Sequence, residues 1–193
     1  MITVTTTDLA SAHLADLAAA YPKAAASALT KMANQTKTKA SSQIRSRFNL
    51  KARDVGQNMS VVNATWTKPE SQVRASGKMI PLYEFSPVPD EPGRPLPTSG
   101  VSVMIVKGQR KVLRGAFIVR YKISGHKAVV ERLGKTRFPI GSLLPTPSYR
   151  EMKGMSVQQM FGTKTVLASL KAFVDEKLRD IFLHEIEYFQ TKS

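Results

Sequence analysis

The sequence predicts an α+β fold: a long N-terminal helix, an antiparallel β-sheet with a proline-rich arm, and a C-terminal amphipathic helix. Three observations predict it. Apolar residues recur at helical spacing near both ends of the chain, and short alternating runs fill residues 60–140. Between those runs, residues 86–100 (SPVPDEPGRPLPTSG) hold five prolines and two glycines, a composition that neither a helix nor an interior strand tolerates. With 193 residues and 42% hydrophobic content, the chain is expected to form a single domain over 1–193. Its parts are N-terminal helices (1–50), a β-rich region (60–140) with the extended loop 86–100, and a C-terminal helical region (156–191).

Asp8 is placed to cap a first helix through Leu9, Leu14 and Leu17, its carboxylate accepting free backbone N–H groups. Pro22 suits the first turn of the next helix, where Ala25, Ala28 or Leu29, Met32, Ile44 and Phe48 form one stripe. Residues 34–42 are Thr, Ser and Lys rich with little to bury, so this helix is expected to be partly exposed. Its alanine-rich face suits either a neighbouring subunit or the chain's own sheet. A connector over 49–57, with a helical turn at 52–55, leads to strands at 60–67, 72–75 and 79–85. Trp66, the only tryptophan, is expected to pack in a core or an interface, because the aromatic neighbours of a base-stacking platform are missing.

The arm at 86–100 is expected to be a stiff extended segment or an ordered long loop. A strand at 101–106, a turn at Gly108 and a short basic strand or loop at 109–114 follow. Next comes a hairpin, 117–121 and 127–133, turning at Ser124 and Gly125, with Phe117, Val119 and Tyr121 on one face. Gly134, Lys135 and Thr136 read as another turn, and Pro139, Pro145 and Pro147 direct the chain away from the sheet. Ser156 and Gln159 have capping-box spacing, and the last helix carries an apolar stripe from Val166 through Leu170, Val174, Leu178 and Phe182 to Phe189.

Charge is the largest anomaly of composition. The chain has 29 Lys and Arg against 14 Asp and Glu, a net +15, and all of the excess lies before Glu151. Lys107, Arg110, Lys111, Arg114, Arg120, Lys122, Lys127, Arg132, Lys135 and Arg137 fall within one stretch that holds a single acid, Glu131. Such a field attracts polyanions or acidic protein surfaces, and the plain alternative is a solvated basic face. The last helix offers the opposite sign in Asp175, Glu176 and Asp180. Acidic helix and basic sheet can pair within one chain or across a subunit boundary.

No grouping points to catalysis. The chain has no cysteine, which excludes disulfides, thiol nucleophiles and zinc–cysteine sites. His13, His126 and His184 lack metal-spaced partners, and Asp90 and Glu91 form a lone acidic pair without a histidine nearby. Gly134-Lys135-Thr136 resembles the end of a phosphate-binding loop, but Val129 stands where its first glycine belongs. No catalytic, cofactor-binding or metal-binding residue is assigned, and no cofactor is expected. There is no apolar run of about 18 residues to span a bilayer, and the N-terminus lacks the basic leader of a secretory signal.

Several blocks, in order and spacing, carry a resemblance: ALTKMANQTKTKASSQIRSRFNLKARDV (28–55), IPLYEF (80–85), RGAFIVRY (114–121), GHKAVVERLGKTRFPI (125–140), LPTPSYREM (144–152) and LHEIEYFQ (183–190). Together they resemble the prophage minor tail protein Z family, among the tail-completion and neck proteins of long-tailed phages. The resemblance implies a non-enzymatic virion subunit at the head-proximal end of the tail, assembled in the bacterial host cytoplasm. It implies a ring, expected to be sixfold, with tail terminator or tail tube proteins and head–tail connector proteins as partners. Viral DNA would pass through the lumen, and no membrane is involved. In that reading Lys107, Arg110, Lys111, Arg114, Arg120, Lys122, Arg132, Lys135 and Arg137, with Asp175, Glu176 and Asp180, are the candidate interaction residues. The alternative is a basic nucleic-acid-binding protein without catalytic activity.

Overall fold

The computed structural model describes residues 2–5, 21–93, 100–121, 123–133 and 149–191. The helix expected after Asp8 lies outside them, as do the turn at 134–136 and the prolines at 139, 145 and 147. The fold is mixed helix and strand, as the sequence predicts, and its residues gather into two compact units. The first comprises Met1–Arg45, Ala52–Lys78 and Ser156–Ser193, and the second Ser46–Lys51 and Met79–Met155.

The first unit is built on two long helices, α1 (Pro22–Arg47) and the C-terminal helix (Lys164–Thr191). Pro22 opens α1 where its missing N–H costs nothing. Alanines at 24, 25, 28, 33 and 40 are buried, and their small side chains allow close approach of neighbouring backbone. Buried positions recur every fourth residue, at Ala24, Ala28, Met32, Thr36, Ala40 and Ile44. Four residues turn a helix about 40° past a full circle, so this row winds round α1. The expectation that 34–42 has little to bury is therefore corrected at Thr36 and Ala40. The C-terminal helix repeats the spacing with Val166, Leu170, Val174, Leu178 and Phe182. Ala25 and Ala28 meet Phe182, while Leu29 and Met32 meet Val174 and Leu178, so the two helices run antiparallel.

A three-stranded sheet of order β1-β3-β2 completes this unit, with β1 at Ile2–Thr5, β2 at Met59–Val62 and β3 at Gln72–Ala75. The short α2 (Ala52–Gln57) precedes β2, and Val55, Val73 and Ala75 are buried. No strand is expected at 2–5, although Ile2-Thr3-Val4-Thr5 alternates apolar and polar β-branched residues; the register of β1 is fixed by β3 through Ile2↔Ala75 and Val4↔Val73. β2 stops five residues short of the expected Thr67. Ala64 turns into the cluster around Leu29 and Met32, and its N–H finds the Thr30 hydroxyl at 3.1 Å in place of a ladder partner. Trp66 then projects from the connecting loop with 67% of its surface exposed, so its expected place in a core is overturned.

Ser156 and Gln159 form the predicted capping box: Ser156 Oγ accepts from the Gln159 N–H at 3.2 Å, and Gln159 Oε1 accepts from the Ser156 N–H at 3.0 Å. The helix they cap is only α3 (Val157–Phe161). The chain breaks at Gly162 and Thr163 before the C-terminal helix, now α4 (Lys164–Thr191), begins.

The second unit holds the remaining strands. β4 (Met79–Pro81) gives way to a 3-10 turn at Leu82–Phe85, where a strand to residue 85 is expected. The turn brings Leu82 and Phe85 inward together; both are buried, and Phe85 packs so closely on Gly154 that a Cβ there would lie 2.8 Å from its ring. β5 (Val101–Val103) pairs with β6 (Lys111–Leu113). β5 ends before the expected residue 106 because the Met104 N–H bonds Phe85 O at 3.0 Å, and Val106 makes only an isolated bridge to Phe48.

The expected hairpin is present as β7 (Ala116–Arg120) and β8 (Lys127–Arg132), with Gly125 at the turn in the left-handed region, φ 67°. Ala128, Val129 and Val130 are all buried, so β8 is covered on both faces. Two further strands follow at 149–156. β9 (Tyr149–Glu151) pairs with β8 through Glu131↔Arg150, and β10 (Lys153–Ser156) pairs with β4.

Candidate functional site

The second unit carries 15 Lys and Arg against 5 Asp and Glu, so it holds +10 of the net +15. Its acids do little to neutralise the candidate residues. Glu91, at the start of the proline-rich arm, pairs with Lys127, which raises the Lys127 pKa through that hydrogen bond. Glu131 pairs with Arg150 across the β8–β9 ladder, and Glu151 lies 3.4 Å from His126 Nε2. These pairs fasten the arm and β9 to β8. Lys107, Arg110, Lys111 and Arg114 remain exposed on the β5–β6 ribbon and the turn between its strands.

Arg110 differs from its neighbours. Its Nη1 donates to Ser86 O at 3.2 Å and to Ser102 Oγ at 3.3 Å, so its guanidinium braces the ribbon. Arg120 and Arg132 end β7 and β8, both exposed. The Arg132 guanidinium lies 5.7 Å from the Phe117 ring centre, and Phe117 meets Tyr149 edge-on at 6.3 Å. Tyr121 stacks on His126 at 6.0 Å; burial, then Tyr149 and Glu151, push its phenol up, so at neutral pH it is an uncharged donor. The half-buried aromatic face of Phe117, Tyr121 and Tyr149 beside Arg132 has the composition of recognition surfaces, where aromatics and arginine concentrate binding energy. Alternation showed Phe117 and Tyr121 on one face, but Tyr149 joins them only through the β8–β9 pairing.

Asp175, Glu176 and Asp180 are exposed on α4 in the first unit, turned away from the buried row of Val174 and Leu178. The candidate bases thus belong to one unit and the candidate acids to the other. Lys122, Lys135 and Arg137 lie outside the described residues.

Among the described residues, no group of three or more His, Asp or Glu could hold a metal ion, and no helix is long and apolar enough to cross a membrane. A concavity of about 350 Å³ at the end of the β2–β3 ladder contains Ser60, Ser76, Arg74 and Gln158. No histidine or carboxylate lines it to activate a serine, and Arg74 Nε and Nη2 are turned onto Gln72 Oε1 at 3.2 and 3.0 Å.

Two compact units whose distinguishing features are an exposed basic ribbon, an aromatic sheet face and an acidic helix define a protein that works through its surfaces. The family model of prophage minor tail protein Z matches residues 6–184, and the chain belongs to that family. It is accordingly a structural protein of the phage tail, with its place in the virion. No curated protein and no solved structure matches the chain.

Proposed function

We propose that this protein completes the head-proximal end of the tail and helps it join the head connector, as a closed, sixfold ring around the DNA channel. It acts without catalysis, and it is assembled in the host cytoplasm before it enters the virion. The observation that carries the ring is the placement of charge: +10 on the second unit, and on the first, itself net +5, the exposed acids Asp175, Glu176 and Asp180 of α4. A cyclic assembly needs two different surfaces that fit each other from copy to copy, and opposite charge supplies such a pair. Tail terminator or tail tube proteins below and connector proteins above are the proposed neighbours. Negative-stain imaging of the purified protein, alone and with tails, tests the reading. Closed rings, and density at the end of the tail that meets the head, are expected; monomers alone, or density spread along the tail, would contradict it.

The basic ribbon favours one second reading, a protein that binds nucleic acid as a monomer. Each phosphate neutralised adds about 0.9 to the salt slope of duplex affinity. A titration of duplex binding against salt is expected to show weak binding and a slope of only a few units, from Lys107, Lys111 and Arg114. Tight binding by monomers that grows with duplex length would favour the second reading.

A further inference from the structure

The aromatic face of the β7–β8–β9 sheet carries two flat outer groups, each backed by a ring. At one end the Tyr121 N–H bonds His126 O at 2.9 Å, closing the hairpin turn, and the His126 imidazole lies nearly parallel to the Tyr121 ring, 9° between their planes. Tyr121 is half-buried and His126 exposed, so the imidazole is the outer member of that stack. At the other end the exposed Arg132 guanidinium lies over half-buried Phe117, which Tyr149 braces edge-on. Phe117 and Tyr121 stand four residues apart along one strand, so the two stacks are separated by about 13 Å. Imidazole and guanidinium planes are surfaces on which unpaired nucleic-acid bases stack. The rings beneath hold them in place, so a contact there costs little side-chain entropy.

The charge around this face names the kind of partner. Of the five acids of the second unit, Glu91, Glu131 and Glu151 are taken by Lys127, Arg150 and His126. Glu131 turns to the opposite side of β8 from Arg132, so Glu151 is the one acid of this face among the described residues. Arg120, at the end of β7, and Arg132 pair with no acid among the described residues. The +10 of the unit is thus left for an anion outside it. A basic surface alone fits an acidic protein equally well, but flat outer groups within a positive field fit a polyanion whose units carry π-faces, which is nucleic acid. In a duplex those faces are hidden by stacking, so the site takes unpaired bases.

We infer that the β7–β8–β9 face binds single-stranded DNA, one base on the His126 plane and another on the Arg132 plane, with the phosphates held by the positive field of the unit. That the strand is DNA rests on the channel in the reading above. The stacking itself needs no ring, and the experiment separates the two.

The probe is a labelled oligodeoxythymidylate of about 12 nucleotides, its binding to the full chain read by fluorescence anisotropy, with mass by light scattering on the same samples. It is expected to bind about 100-fold more tightly than an abasic strand of equal length, which keeps the phosphates and lacks the bases; that is about 10-fold for each stacked base. His126→Ala and Arg132→Lys alter exposed side chains, so circular dichroism should be unchanged. Each should weaken oligodeoxythymidylate binding about 10-fold and leave the abasic strand unaffected, since Arg132→Lys keeps the charge and removes only the plane. His126→Phe, which keeps a flat ring, should retain the binding. Equal affinity for the abasic strand, or oligodeoxythymidylate binding unchanged in both variants, would overturn the stacking. Polyglutamate that competes as well as the oligonucleotide would overturn nucleic acid as the partner, and tighter binding of oligouridylate would overturn DNA as the strand. Monomers that bind as expected would uphold the site and contradict the ring, and rings without the preference for bases would do the reverse.

Discussion

Gly100→Ala is expected to lower the stability of the second unit by about 4 kcal/mol or more, near the upper end of single substitutions. Gly100 has φ +83°, where a side chain costs about 1–2 kcal/mol in a left-handed backbone. The larger cost is steric. A Cβ there would stand 2.1 Å from Leu113 O and 2.9 Å from Leu113 C, and both atoms belong to backbone that pairs with β5. To relieve the overlap β6 must leave β5, carrying Lys111 and the Arg110 brace with it. Gly108 supplies the control: its φ is +79° but nothing lies within 4 Å of its would-be Cβ, so Gly108→Ala should cost only about 1 kcal/mol. Denaturant unfolding of both variants measures the difference. Equal losses would show that the ribbon is not packed as described.

Lys31→Ala is expected to cost about 3 kcal/mol at neutral pH, by stranding a buried carboxylate. Glu185 is only 2% exposed on α4, and Lys31 Nζ of α1 meets it at 2.5 Å from a largely solvated position. Burial alone would push the Glu185 carboxyl up; hydrogen bonds from Lys31 and Ser27, with the Lys31 and His184 charges, outweigh it and hold the pKa below the ordinary value. The contribution of the pair is thus complete above the unfolded carboxyl pKa of about 4.3 and is lost as pH falls through the folded value. Removing the lysine leaves an unpaired buried charge, which costs about 3–5 kcal/mol in fully buried pairs, and the exposure of Lys31 places it at the low end. Glu185→Leu removes the charge as well and should cost less than Lys31→Ala. Thermal unfolding from pH 7 to pH 3 checks both: the gap between wild type and Lys31→Ala should close in acid. A gap that persists at pH 3 would mean the loss is packing of the lysine stem.

The parts of this fold written in local pattern were legible in the sequence, and those decided by distant partners were not. The stripe from Val166 to Phe182, the Ser156–Gln159 box and the 117–133 hairpin each depend on residues within a few positions of one another. β9 and β10 do not. Tyr149–Glu151 has no alternation of its own and becomes a strand because Glu131 and Arg150 pair across the ladder. The run at 80–85 looks like a strand by composition, yet Phe85 reaches the space above Gly154 only if the chain winds after Pro81. Surface charge was legible for a simple reason: Lys107, Lys111, Arg114, Asp175, Glu176 and Asp180 stay in water wherever the chain folds. Trp66 was not, since its bulk argues for burial and only the Thr65–Lys68 turn explains its display.

The central claim is that the basic ribbon on the second unit of one copy meets the acids Asp175, Glu176 and Asp180 on α4 of the next. It is tested most directly by mixing two variants of the full chain, one with Asp175→Lys, Glu176→Lys and Asp180→Lys, the other with Lys107→Glu, Lys111→Glu and Arg114→Glu. Arg110 is left in place because it braces Ser86 and Ser102. Each variant presents like charge at both surfaces, so native mass spectrometry should find each alone unassembled and the equimolar mixture in closed rings of alternating copies. Assembly of either variant by itself, or no assembly of the mixture beside a wild type that forms rings, would contradict the account.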